Sequence, residues 1–466
     1  MWSEILSLAV ILLAAGRDVL PARKPRKPKG GWQLVTLDPG HFHAALIHKR
    51  SYPDVSPEAY VYAPLGPDLL AHLARIHQFN SRQQDPTSWR LILYAGPDFL
   101  ERMLAEKRGH IVVLSGRNRG KIRRIQACLD AGLHVLADKP WILEPAELPE
   151  LEVALRKAQG AGLLAYDIMT ERFEVTNALQ RELVADREIF GEIEPGSPSS
   201  PAVVMESVHH IFKTVAGVPA LRPASFFDIE EQGEGLTDVG THLVDLVQWI
   251  LFPDQALDWR TDVAVLEGKR WPEPLTREQF RLVTGIEDFP EKLRPWVRED
   301  RLHYYCNNQV TYRLRGVHVR LDALWRYEAP PGAGDTHHAV FRGSRSRIEI
   351  RQGAPEKFRP ELYVIPNRSG DLPSLRSVLE RRLAQWQTRF PGLALREYGD
   401  ELWITIPDAL RVGHEAHFGE VVEQFLSYLE EPHRLPAWEA PNMLAKYAVT
   451  TQGVALARKS QSARTQ

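Results

Sequence analysis

The stretch Ala131-Gly132-Leu133-His134-Val135-Leu136-Ala137-Asp138-Lys139-Pro140 decides the fold. It closes an amphipathic helix over 121–131 at Gly132, runs through an apolar strand over 133–137, and delivers a lysine and a proline at the strand's end. Toward the N-terminus the same alternation recurs, with strands expected at 32–37, 59–62, 89–94 and 110–114. Toward the C-terminus a helix over 146–159 and a strand over 162–166 complete it. Strands alternating with helices predict a parallel, doubly wound α/β sheet. Such sheets bind ligands beyond the carboxyl ends of their strands, where Gly40, 115–118 and 138–140 all fall.

Past Asp167 the pattern changes in kind. Strand-like segments at 304–314, 318–327, 347–351 and 361–365 carry polar/apolar alternation, the mark of an antiparallel sheet with one solvated face. Helices are expected over 240–251, 374–389, 415–429 and 440–459. This gives a possible leader and basic linker over 1–30, a Rossmann domain with a doubly wound parallel sheet over 31–166, and a C-terminal α+β domain with a mostly antiparallel open sheet over 167–466.

With 58 basic and 60 acidic residues in 466, the formal charge of −2 leaves no electrostatic footprint for nucleic acid. Small molecules are the expected partners. The two cysteines, Cys128 and Cys306, lie in no CxxC or Cys/His cluster and read as buried thiols. The apolar run 5–15 is too short for a stable membrane span but suits a signal-peptide core, so export to the periplasm is expected. The basic stretch 23–29 follows that run rather than preceding it, which favours the cytoplasmic alternative.

Three places carry chemistry. The first strand ends in Asp38-Pro39-Gly40-His41-Phe42-His43, where a glycine-rich phosphate turn would stand, yet only the middle glycine is present and no acidic residue ends the second strand. The Lys139-Pro140 turn presents an ammonium to a substrate oxygen. The glycine-led helix start, with Gly233, Gly235, Asp238 and His242, puts an acid and an imidazole one turn apart on one face.

In order and spacing these motifs resemble the Gfo/Idh/MocA oxidoreductases (glucose-fructose oxidoreductase and inositol dehydrogenase relatives). The family's strand-end asparagine matches Asn118, its "aGkHVl-EKP" matches 131–140 with Asp138 for glutamate, its Asp-x-x-x-His-x-x-Asp helix matches Asp238, His242 and Asp245, and its Arg-Phe pair matches Arg172-Phe173. The resemblance implies an NAD- or NADP-dependent enzyme oxidising a secondary hydroxyl of a sugar, glycoside or polyol. It implies that Lys139, His242 and Asp238 are catalytic, that Lys139, Arg172, Asp238 and His242 touch substrate, and that Asp38, Gly40, His41, Phe42, His43, Ser115, Asn118, Asp138, Lys139 and Pro140 border the cofactor. No metal is implied. If the chain is exported, the nucleotide is expected to be tightly held. The exposed sheet face of the second domain suggests a homo-oligomer. Aromatic and charged residues over 325–327 and 335–338 either line the sugar pocket or belong to the core. Other readings are an NAD-dependent glycosidase of the same family, a metal-dependent amidohydrolase-like barrel using His41 and His43, or a sugar-binding protein without catalysis.

Overall fold

The computed structural model describes residues 28–464 except 216, 217 and 220, so the run 5–15 lies outside the described residues. The N-terminal sheet is built from β1 (Leu34–Leu37), β2 (Glu58–Ala63), β3 (Arg90–Ala95), β4 (Ile111–Leu114), β5 (His134–Ala137) and β6 (Ala165–Asp167). All neighbours pair in parallel, in the order β3-β2-β1-β4-β5-β6. The connecting helices are α1 (His43–Leu46), α2 (Pro67–Ser81), α3 (Phe99–Glu106), α4 (Lys121–Asp130) and α5 (Leu148–Ala161). The expected doubly wound sheet is therefore present, with its order reversing between β1 and β4. Among the described residues no eight-stranded barrel occurs.

Beyond β6 come α6 (Val175–Ala185), β7 (Val203–His210), a small hairpin of β8 (Thr214–Val215) and β9 (Val218–Pro219), and α7 (Val239–Leu251). They are followed by β10 (Val263–Leu275), α8 (Arg277–Thr284), β11 (Val297–Arg298), β12 (Arg301–Leu314), β13 (Val317–Arg326), β14 (Thr336–Arg342), β15 (Ser346–Gln352) and β16 (Glu361–Pro366). The chain closes with α9 (Leu372–Trp386), β17 (Ala394–Tyr398), β18 (Glu401–Thr405), α10 (His414–Glu430) and α11 (Glu439–Arg464). The large sheet runs β10-β12-β13-β7-β14-β15-β16-β18-β17 and is antiparallel except for the β13–β7 pair. Its inner face, with Met205, Val310, Leu321, Phe341 and Ile350, packs under α6, α7, α9 and α11.

The last two helices return to the first sheet. Met443, Leu444 and Tyr447 of α11 join Val35, Leu37, Val112 and Val135 on one face, while Phe418, Val421 and Phe425 of α10 join Leu34, Ile111 and Val113 on the other. A buried charge network ties the same region together. Lys446 bridges Asp167 at 2.9 Å and Asp245 at 3.1 Å, and Arg172 forks onto Asp245 and reaches Glu439 at 2.9 Å. Both cysteines are buried and free, as expected. Among the described residues no helix is long and apolar enough to cross a membrane.

Candidate functional site

The helix expected after the β1 turn is only four residues long. The Tyr52 hydroxyl donates to the Ile47 carbonyl at 2.9 Å, taking an acceptor that a longer helix would use, and the chain turns away. Asp38, with φ of 48°, is buried, and its carboxylate is held by Arg117 and, at 3.3 Å, by Arg124. Arg117 also reaches Asp68 at 3.1 Å. The Gly40 backbone is approached closely by protein: a Cβ on Gly116 would lie 2.5 Å from the Gly40 nitrogen, so position 116 requires glycine. Phe42 is exposed, with the Arg75 guanidinium 5.5 Å from its ring centre.

The β5 turn is organised differently. The Lys139-Pro140 peptide is cis. Lys139 pairs across the domain boundary with Asp238. Burial works against the Lys139 charge, yet Asp238 and Asp138 outweigh it and raise its pKa. Burial opposes ionisation of Asp238 too, and Lys139 turns the balance downward. Asp238 starts α7 without capping it by its side chain, which faces Lys139 instead. Behind it, burial and then the Lys139 charge push the His242 imidazole down to about 3, and its Nδ1 has no hydrogen-bond partner. The glycine entry is required sterically: a Cβ on Gly235 would lie 2.0 Å from the Cys306 carbonyl oxygen.

Asp138 links the two turns. Its Oδ2 lies 2.8 Å from His43 Nδ1, accepts from Ser115 Oγ at 2.9 Å, and is 3.8 Å from His41 Nδ1. Burial opposes its charge, but His43, Lys139 and His41 together hold the carboxyl well below the usual range. Lys121 Nζ donates to Asn118 Oδ1 at 2.5 Å and to the Asp138 carbonyl at 2.8 Å, with its pKa lowered by burial to about 8.

A cavity of about 30 Å³ lies between the domains, lined by His41, Gly116, Asn118, Asp138, Lys139, Phe226, Gln232, Gly233, Asp238 and Tyr304. The structure thus brings together His41, Asn118, Asp138, Lys139 and Asp238. His242 is not among the lining residues; it sits behind them, within electrostatic range of Lys139, Glu171 and His414. Arg172, expected at substrate, has its guanidinium nitrogens committed to Asp245 and Glu439, so its place is in the inter-domain network. Trp325 belongs to an aromatic core cluster, and Asp335 binds His210 and Lys213; neither lines the cavity.

Sequence reasoning missed Phe226, Gln232 and Tyr304, and the pair His414–Glu171 at 3.2 Å. The strap carrying Gln232 is fastened to the sheet edge: the Asn118 and Arg119 amides donate to the Glu231 carbonyl at 3.1 and 3.0 Å, and Asn118 Nδ2 donates to the Gln232 carbonyl at 2.8 Å. Glycine at 233 was a signal for it, with φ of 92°.

Residues 179–458 match the family described as "Putative oxidoreductase C terminal domain". A crystal structure of a "putative oxidoreductase" from Parabacteroides merdae ATCC 43184 is 46% identical, covering 92% of this chain and 98% of that one, with a TM-score of 0.90. GenD2 from gentamicin A biosynthesis, solved in complex with NAD, shares the fold at 13% identity and a TM-score of 0.54, covering 94% of this chain and 97% of that one. KijD10, a 3-ketoreductase from Actinomadura kijaniata solved with NADP, does so at 12% identity and 0.52, covering 91% and 97%. Comparison with curated proteins returns no match.

Proposed function

The chain belongs to the oxidoreductase family of that C-terminal domain, and we propose that it is a Gfo/Idh/MocA-type enzyme oxidising a secondary hydroxyl of a sugar, glycoside or polyol with NAD or NADP. The observation that carries this reading is Lys139, delivered by the edge of a doubly wound sheet and paired across the cleft with Asp238. The relatives solved with NAD and NADP support the cofactor, and the 3-ketoreductase among them supports a sugar-like substrate.

The donor set of this edge fits a nicotinamide nucleotide. Asn118, Lys139 and the 138–140 turn would hold the ring end, and Arg117 and Arg124 supply positive charge where a phosphate turn normally uses a helix N-terminus. Bound there, the cofactor supplies a hydride acceptor. The chain's own residues do the rest. Asp238 accepts from substrate hydroxyls and fixes their orientation. Lys139, kept charged by Asp238 and Asp138, donates to the reacting oxygen and stabilises negative charge on it. His242, kept neutral behind the Lys139–Asp238 pair, would have to turn into the cleft to receive the hydroxyl proton. The strap at Glu231 and Gln232 is tied to the sheet edge beside them by Asn118 and Arg119.

Export would make free nucleotide scarce and favour tight retention. The outer face of the large sheet, where Arg347 and Arg351 pair with Glu349, is the surface through which self-association would run. Denaturing purified protein and identifying the released nucleotide, alongside calorimetry with added NAD and NADP, tests the reading. Finding no released nucleotide and no binding of added NAD or NADP would overturn it.

A further inference from the structure

We propose that His41, His43 and Asp138 form a binding site for a divalent first-row transition metal ion at the mouth of the β1 and β5 turns. The three donor atoms lie within 4.8 Å of one another. Donors around a tetrahedral ion at metal–ligand distances of about 2.1 Å stand roughly 3.4 Å apart. The observed separations from Asp138 Oδ2, 2.8 Å to His43 Nδ1 and 3.8 Å to His41 Nδ1, bracket that value, and the third pair, within 4.8 Å, needs at most about 1.4 Å of closure.

The chemistry of the set agrees with the geometry. Two imidazoles and one carboxylate are the protein ligands of open, catalytic zinc and non-haem iron centres. Both nearby ammoniums are already engaged: Lys139 by Asp238, and Lys121 by Asn118 and the Asp138 carbonyl. Ser115 donates to Asp138 Oδ2 and would orient that carboxylate from outside the coordination shell. His43 is wedged against Phe418 at 4.5 Å between ring centres, which fixes its plane. The sequence His41-x-His43 replaces a phosphate turn that this chain does not keep, and a metal site gives that replacement a purpose.

Because His41 and Asp138 line the cavity, the remaining coordination positions face the Lys139–Asp238 pair. An ion there would polarise a substrate oxygen. That role rests on the proposed function; metal binding does not.

The test uses the full chain, freed of metal by chelator dialysis. Zn²⁺ is titrated by calorimetry, and Co²⁺ by its visible absorption, which reports nitrogen ligation. One equivalent should bind with a Kd of about 1 μM or tighter. His41→Ala, His43→Ala and Asp138→Asn should each weaken it at least tenfold, while His433→Ala, at an exposed histidine, leaves it unchanged. A wild-type protein with no saturable site at that concentration overturns the proposal. So does a site that survives all three substitutions. Thermal melts accompany each variant, and the half-exposed His41 keeps the test open if Asp138→Asn fails to fold. NAD and NADP binding is measured on the same metal-free protein. Metal without nucleotide sinks the oxidoreductase reading alone, and nucleotide without metal sinks this one alone.

Discussion

Two turns leave the same edge of the same sheet, and they differ in what holds them. The β1 turn is closed on itself: Asp38 is bound by two arginines, and Gly40 is pressed against Gly116. The β5 turn is open toward the second domain, and Lys139 finds its salt-bridge partner there, on Asp238. Sheet topology therefore fixes where a ligand meets the protein, while local charge pairing decides which part of the edge is free to do chemistry.

The sharpest way to break this contrast is at Lys139. Lys139→Ala should lower turnover of the best sugar found by roughly 10²–10⁴ fold with nucleotide binding nearly intact, and His242→Ala should behave alike. The double variant should lose far less than the product, because both act on one oxygen. Multiplicative losses in steady-state kinetics would separate the two residues. Behind the β5 side, Lys446→Met leaves Asp167 as a buried charge without its counter-ion, while Asp245 keeps Arg172, and should cost about 3–5 kcal/mol in urea unfolding. A loss under about 1 kcal/mol would mean that the network is wet.

On the β1 side, Asp38→Asn removes the charge that occupies Arg117 and Arg124. Nucleotide affinity should rise about tenfold by calorimetry, equivalent to about 1.4 kcal/mol. An unchanged or lower affinity would show that those arginines do not meet the phosphates. The smallest effect concerns His48 and His72, packed behind this turn with both His72 nitrogens and one of His48 lacking partners. Burial lowers their pKa values to about 4 and about 3. The unfolded chain therefore binds protons first, near the ordinary value of 6.5, so stability is full above that and falls as pH drops toward 4 and then 3. Each group contributes a slope of at most about 1.4 kcal/mol per pH unit, and His72→Phe should remove its share of that slope in acid-titrated unfolding.

Legibility followed the same divide. Around 131–140, helix, cap, strand and lysine are contiguous, and the structure places each within a residue or two of where local pattern puts it. The glycines at 233 and 235 announced a close approach, and the Cys306 carbonyl is what comes close. By contrast β7, β10, β17 and β18 escaped reading because their burial alternates irregularly and their pairing partners lie far away in sequence. Asp238 looked like a substrate ligand; only the third dimension shows its bond to Lys139. Arg172 was expected at substrate, and its partners Asp245 and Glu439 are remote in sequence. Phe226 and Tyr304 carry no local signal, and Gln232 has only the neighbouring Gly233, since a strap and a strand interior become a pocket wall only when two domains meet.

The return of α10 and α11 to the first sheet has a bearing on how the protein is made. The apolar faces of β1 and β4 are covered in part by Phe418 and Val421, and in part by Met443 and Tyr447. The charge on Asp167 meets its partner only when Lys446 arrives. On the ribosome these helices emerge after the entire large sheet, a wait on the order of tens of seconds at roughly 5–20 residues per second. Through that interval the first domain carries uncovered hydrophobic surface on both sides, which is the condition under which a nascent chain needs a chaperone.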